Sequence, residues 1–115
     1  MVKRGDIVSV DLPRPTTGGR EQFGRRPAII FQDDSQFGKL PTIIVVPVTS
    51  QKSALRFPTT FLIQPSTSNG LQSESVVLAF QLRAIDRSRI KQVLGTLEPQ
   101  ALTDLNFHIR KLLHL

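Results

Sequence analysis

Between Pro13 and Arg26 the chain carries four arginines, Arg14, Arg20, Arg25 and Arg26, against one carboxylate, Glu21. Every cation there is an arginine, whose planar fork gives two parallel hydrogen bonds to a phosphate or carboxylate. Phe23 adds a ring on which a planar group can stack, and Gly18, Gly19 and Gly24 make the segment pliable. A solvated basic loop without function accounts for the same residues, so composition alone leaves both readings open. The Gly18-Gly19 pair is far from a phosphate-loop pattern.

A second polar cluster, Pro47-Val48-Thr49-Ser50 with Lys52 close behind, ends an apolar run. Hydroxyls at such a place either start a turn or donate to a ligand at the mouth of a loop. No histidine lies near Thr49 or Ser50 in sequence to serve as a base, which argues against a covalent nucleophile. The two histidines, His108 and His114, both fall in the last segment, at a spacing that does not stack them on one helix face. With no cysteine, disulfides and thiolate catalysis are excluded, and neither a metal nor a cofactor is expected. The lack of cysteine also fits a cytoplasmic location.

The elements that must position these residues come from a chain of 115 residues, enough for one domain, 1–115, with 39% apolar residues. A domain this small hides a modest share of its surface, so association would help it. The net charge of +6 favours anionic partners: nucleic acid, an acidic peptide or an anionic membrane surface. No stretch approaches the roughly 18 apolar residues of a spanning helix. The opening Met1-Val2-Lys3-Arg4-Gly5-Asp6 lacks the apolar run of a signal peptide. Neither membrane insertion nor export is expected.

Most segments read as strands. Residues 6–12 alternate apolar and polar until Pro13 stops them, and 28–31 and 42–48 are β-branched runs suited to burial on both faces. Further strands are expected over 57–63, 75–82 and 90–97. Pro99 suits a first helical turn, after which Leu102, Leu105, Ile109 and Leu112 form one apolar stripe. The expected architecture is therefore a small, mainly β, closed barrel capped by a C-terminal helix. Phe31, Phe61 and Phe80 fall within strands and belong in the core, while Phe23 and Phe37 do not. Asp86-Arg87-Ser88-Arg89 reads as a turn in which Asp86 pairs with a neighbouring arginine. Residues 13–25, 50–57 and 65–72 are the loops, where function usually sits.

The order and spacing of several short motifs resemble the MazF/PemK toxin family. They are Arg4-Gly5-Asp6-Ile7-Val8, Gly19 and Glu21, Arg26-Pro27-Ala28, and Val46-Pro47-Val48-Thr49-Ser50. Gly70-Leu71, Ser75-Val76-Val77-Leu78, Gln81, Ile85-Asp86-Arg87-Ser88-Arg89-Ile90 and Gly95-Thr96-Leu97 follow. Each motif is weak singly, and together they cover roughly residues 3–112. The resemblance implies an SH3-like barrel of the CcdB/PemK/MazF type, a homodimer, and sequence-selective, metal-independent cleavage of single-stranded RNA. It also implies an acidic, MazE-like antitoxin laid along the RNA groove, which crosses the dimer interface.

Carried over residue by residue, the family's key arginine and threonine are Arg26 and Thr49, and its loop glutamate is Glu21. The RNA-contacting set expected around them is Arg20, Phe23, Arg25, Ser50, Lys52 and Gln81. Two positions depart from the pattern: Phe80 stands where many relatives have an acid, and Leu78 where some use an arginine. RNA supplies its own nucleophile, the 2′-hydroxyl, so Arg26 and Thr49 would stabilise the charge that builds on phosphorus. An arginine stays protonated near neutrality, so Arg26 is unsuited to be the base, and Glu21 is the expected assistant. A gyrase-binding toxin of the CcdB type, a non-catalytic nucleic-acid-binding barrel and a decayed toxin are the competing readings.

Overall fold

The structure, a computed structural model, describes residues 2–19 and 21–115. Among these residues seven antiparallel strands and two α-helices occur in the order β1 (Asp6–Leu12), β2 (Gly24–Ile30), α1 (Asp34–Phe37), β3 (Thr42–Thr49), β4 (Thr60–Ile63), β5 (Ser75–Leu78), β6 (Arg83–Asp86), β7 (Ile90–Thr96) and α2 (Pro99–Leu113). The sheet runs β4-β5-β3-β2-β1-β7, with β6 beside the first half of β3. This is the mainly β, SH3-like arrangement with a terminal helix that the sequence predicts. Its strand path is open, however: among the described residues β4 and β7 remain edges, and no continuous ladder closes the barrel.

The central strands are apolar on both faces because they separate two cores. Ile7, Ile29, Val46 and Val48 face Ile63, Val77 and the helix residues Leu105 and Ile109. Val8, Val10, Ala28, Ile30, Ile43 and Val45 pack together on the opposite face with Leu12 and Ile85. Strands buried on both sides read as unbroken apolar runs. Helix α2 starts with Pro99 and ends where His114 takes the left-handed conformation, φ 59°. Its buried stripe is Leu105 and Ile109 with Leu102 beside them. Leu112, expected in that stripe, is exposed.

Two prolines shape the strands around the cleft described below. Phe31 N–H donates to Ile44 of β3 (3.0 Å), whereas the Ile30 carbonyl accepts from Gly5 on the β1 side (2.8 Å). Backbone groups alternate edges along a strand, so Pro27 faces β3. The β2–β3 ladder ends at Ala28↔Pro47, and the missing N–H of Pro27 falls just beyond it. Strand β2 therefore begins at Gly24 instead of 28, and Arg25 and Arg26 pair with Asp11 and Val10 of β1.

Pro47 works at the other edge of β3. Residues 42–45 of β3 pair with β6 and residues 48–49 with β5, so Pro47 occupies the gap between these partners. A proline gives a neighbouring strand no donor. Opposite it the expected strand 75–82 stops as β5 at Leu78 and turns through a 3₁₀ segment, Ala79–Gln81, and β6 follows beyond the expected strand. The expected strand 57–63 is likewise shortened to Thr60–Ile63. Its beginning is used by a 3₁₀ turn, Lys52–Arg56, closed by Phe57 N–H on the Ala54 carbonyl (3.1 Å), and by Thr59 at φ 62°.

Candidate functional site

Continuing the Ala28↔Pro47 register by two residues brings Arg26 opposite Thr49. Both line one cleft, together with Arg25, Ser50 and the loop residues Gly70, Leu71, Gln72 and Ser73. Arg26 is half-buried, and its Nε donates to the Phe23 carbonyl (3.0 Å). Its two Nη groups meet no acceptor among the described residues, so the fork is held at one corner and open at the other. Thr49 is buried, and its Oγ1 accepts from Gln51 N–H (3.2 Å), which leaves its proton for donation. Among the described residues neither a carboxylate nor a histidine lines this cleft.

The far wall of the cleft is fixed by a polar hub. Asn69 is fully buried; its Oδ1 accepts from Ser66 N–H (3.0 Å) and Leu71 N–H (3.0 Å). Its Nδ2 donates to the Gln64 carbonyl (2.9 Å) and to Glu98 Oε1 (3.0 Å), so its amide is satisfied. Glu98 Oε2 accepts from Ser66 Oγ (2.6 Å) and Ser68 Oγ (3.1 Å). The loop then rests backbone to backbone on β7: a Cβ on Gly70, at φ +70°, would lie 2.1 Å from the Leu94 carbonyl oxygen. The Ser66 hydroxyl, with Asn69 and Ser68 behind it, holds the Glu98 carboxyl below its ordinary value against the opposing effect of burial.

Glu98→Gln should therefore cost about 1–2 kcal/mol, since a neutral amide keeps only part of a charged acceptor's hydrogen bonding. A pKa lowered in the fold adds stability above the unfolded value of about 4.3 that disappears as pH falls through the folded value. Urea melts at neutral and acid pH check both points: the variant's deficit shrinks on acidification. A pH-independent deficit would contradict the assigned role of the charge.

Thr49 also lines a second hollow, with Gln22, Gln51, Arg56, Phe57, Phe80 and Gln81 among its walls. Phe80 and Gln81 pass on into a third, which holds Glu21 and Arg83. The three form one succession across the surface. Gln81 Oε1 accepts from Gln22 N–H (2.9 Å) and ties the first loop to the 3₁₀ turn opposite Pro47.

The predicted residues distribute unevenly over this surface. Arg25, Arg26, Thr49 and Ser50 share the first cleft. Glu21 is exposed in the third hollow, away from Arg26, and forms no ion pair among the described residues. Phe23 is half-buried beneath the Arg14 guanidinium, 4.3 Å from the ring centre, so one ring face is already covered. Lys52 lines none of the three hollows and is ion-paired with Glu74. Arg20 lies outside the described residues. Phe80, expected in the core, is 37% exposed, because the break opposite Pro47 turns it outward. Asp86 caps the next 3₁₀ turn through Ser88 N–H (2.9 Å); it forms no close ion pair among the described residues, and the charge of Arg89 acts on it only as a weaker influence beside the Ser88 hydrogen bonds. His108 stacks on Phe61 (5.3 Å). No group of three or more metal-ligating side chains gathers among the described residues. Gln22, Arg56 and Phe57 were not legible as site residues; the one available signal was Pro47, which forces the chain out of the strand beside them.

The fold is thus a small SH3-like barrel that brings a forked cation and a hydroxyl into one cleft, with no carboxylate on its walls among the described residues. The chain belongs to the family of PemK-like, MazF-like toxins of type II toxin-antitoxin systems, whose model matches residues 3–113. It is 34% identical over 106 residues to an endoribonuclease MazF of Staphylococcus saprophyticus, covering 92% of this chain and 86% of that protein. Its fold is similar to MazF from Deinococcus radiodurans, at a TM-score of 0.82 and 26% identity over 99% of this chain and 97% of the other. A MazE-MazF complex from the same organism gives 0.75 and 25% over 99% and 96%.

Proposed function

We propose that this toxin is a metal-independent endoribonuclease that cuts single-stranded RNA by transesterification at the Arg26/Thr49 cleft. The 2′-hydroxyl attacks the adjacent phosphorus, the 5′-oxygen leaves, and the products carry a 2′,3′-cyclic phosphate and a 5′-hydroxyl. Arg26 directs its open Nη groups at the phosphate oxygens as their charge builds, and Thr49 adds a third donor. The observation that carries this reading is the half-held guanidinium of Arg26 beside the Thr49 hydroxyl in a cleft without a carboxylate. Those walls offer a divalent metal no anionic ligand, which supports chemistry run by the protein's own donors.

Arg25, Ser50 and Gln81 contact the RNA along the three hollows, and Arg20 and Phe23 follow on the first loop. Glu21, one hollow away, is placed to assist through the pliable loop that carries it. Buried Leu78 and exposed Phe80 supply neither an arginine nor an acid, so no acid-base pair operates there. The protein works as a homodimer in the cytoplasm, inhibits translation, and is silenced by an acidic MazE-like antitoxin that competes for the same basic cleft. Among the described residues no helix is long and apolar enough to cross a membrane.

The test is incubation of the purified protein with a long single-stranded RNA in EDTA. Discrete cuts bearing cyclic phosphates are expected. Intact RNA combined with retained growth arrest would favour a gyrase-binding toxin instead. Intact RNA without arrest would favour a decayed toxin or a non-catalytic binding barrel.

A further inference from the structure

We infer that the hollow beside the cleft is a nucleobase subsite in which Phe80 and Phe57 form the stacking platform for the base next to the cut phosphate. This rests on the proposed RNA cleavage and adds how one base of the substrate is chosen. The 3₁₀ turn opposite Pro47 presents Phe80, 37% exposed, against Phe57, with ring centres 5.3 Å apart and planes tilted by 55°. The Arg56 guanidinium covers Phe57 at 4.5 Å from its ring centre, backing the platform with positive charge. An exposed ring, here Phe80, braced by a half-buried ring that carries a cation is a surface on which single-stranded bases stack.

Two further features suit a base better than an apolar side chain. The side-chain amides of Gln22 and Gln51 line the hollow and make no hydrogen bond among the described residues. A free amide offers a donor and an acceptor together, the pattern that matches a base edge. Among the described residues no carboxylate lines the hollow, and Thr49 is common to its wall and the phosphate cleft. A nucleotide held with its phosphate on Arg26 thus has its base delivered at the Phe80 platform.

The experiment is end-sequencing of the cuts made in a random pool of single-stranded RNA by the wild-type protein, Phe80→Ala, Phe80→Leu and Phe80→Tyr. Stacking of about 1–3 kcal/mol per base corresponds to about fivefold to 150-fold in binding. Phe80→Ala should slow cleavage within that range and flatten the base preference at one position beside the cut. Phe80→Leu, which keeps the apolar contact with Phe57, guards against a folding defect and should flatten the same position. Phe80→Tyr should restore the preference. Wild-type preference and rate in Phe80→Ala would overturn the subsite and leave the nuclease standing, whereas a wild-type protein that cuts nothing removes both. Loss of affinity for an acidic antitoxin peptide with unchanged base preference would also overturn it, assigning the hollow to that peptide.

Discussion

Replacing Arg26 with alanine is expected to slow RNA cleavage by about 10²–10³-fold, the usual effect of removing a donor aimed at developing negative charge. The fold should survive. Arg26 is half-buried on β2 and its side chain makes a single hydrogen bond among the described residues, to the Phe23 carbonyl, so its loss leaves no buried ion behind. Arg26→Lys separates charge from geometry. An ammonium keeps the charge but lacks the planar fork, so it should recover affinity for RNA better than it recovers rate. Thr49→Val adds a second strand to the argument. It removes the donated proton and also the acceptor of Gln51 N–H, so Thr49→Ser, which keeps both, is the proper control. Single-turnover cleavage of one fixed RNA, with circular dichroism of each variant, measures all of these. Undiminished cleavage by folded Arg26→Ala would remove this residue from the chemistry.

The sequence exposes local order well and pairings between distant segments poorly. Strand β1 and the helix stripe through Leu105 and Ile109 are visible because apolar residues recur at two- or at three- and four-residue spacing, and the core runs of β2 and β3 because they are continuous and β-branched. The prolines are harder to read. Pro27 looks like a strand breaker, yet it lies within β2, because its missing N–H falls where pairing with β3 has stopped. Pro47 sits inside β3 and breaks the neighbouring segment instead. Periodicity carries no record of which partner a strand will face, so Phe80 reads as core and emerges on the surface. Arg26 and Thr49 are legible through the resemblance and are then brought opposite each other by register. Glu21 has the right chemistry, but the loop that bears it ends in the third hollow. Lys52 is spent on Glu74, a contact between loops 22 residues apart in sequence that no local pattern signals.

The pair Asp34–Arg87 shows the same limit on a larger scale and gives the second strong prediction. These residues are 53 apart in sequence, and Arg87 forms a fork on the carboxylate, Nη1 to Oδ2 at 3.0 Å and Nη2 to Oδ1 at 2.6 Å. The Asp34 side chain is 4% exposed and that of Arg87 26%. Arg87 also donates to the Phe37 carbonyl (3.0 Å) and to the Leu40 carbonyl, pinning the loop around α1 to the turn after β6. Arg87→Ala strands a nearly buried carboxylate. Solvent already reaches the guanidinium, so the cost should be about 2–3 kcal/mol, below the roughly 3–5 of a fully buried pair. The hydrogen bonds from Arg87 hold the Asp34 carboxyl below its ordinary value, against the opposing effect of burial. The stability this adds is present above the unfolded pKa of about 3.9 and is lost as pH falls through the lowered folded value. Removing Arg87 should therefore destabilise strongly at neutral pH and less in acid. The double variant Asp34→Leu/Arg87→Met should regain most of the loss, because an apolar pair needs no counter-charge. Urea midpoints of the three variants at two pH values decide it. A double variant no better than Arg87→Ala would mean that the carbonyl contacts of Arg87, not the stranded charge, hold this corner of the barrel.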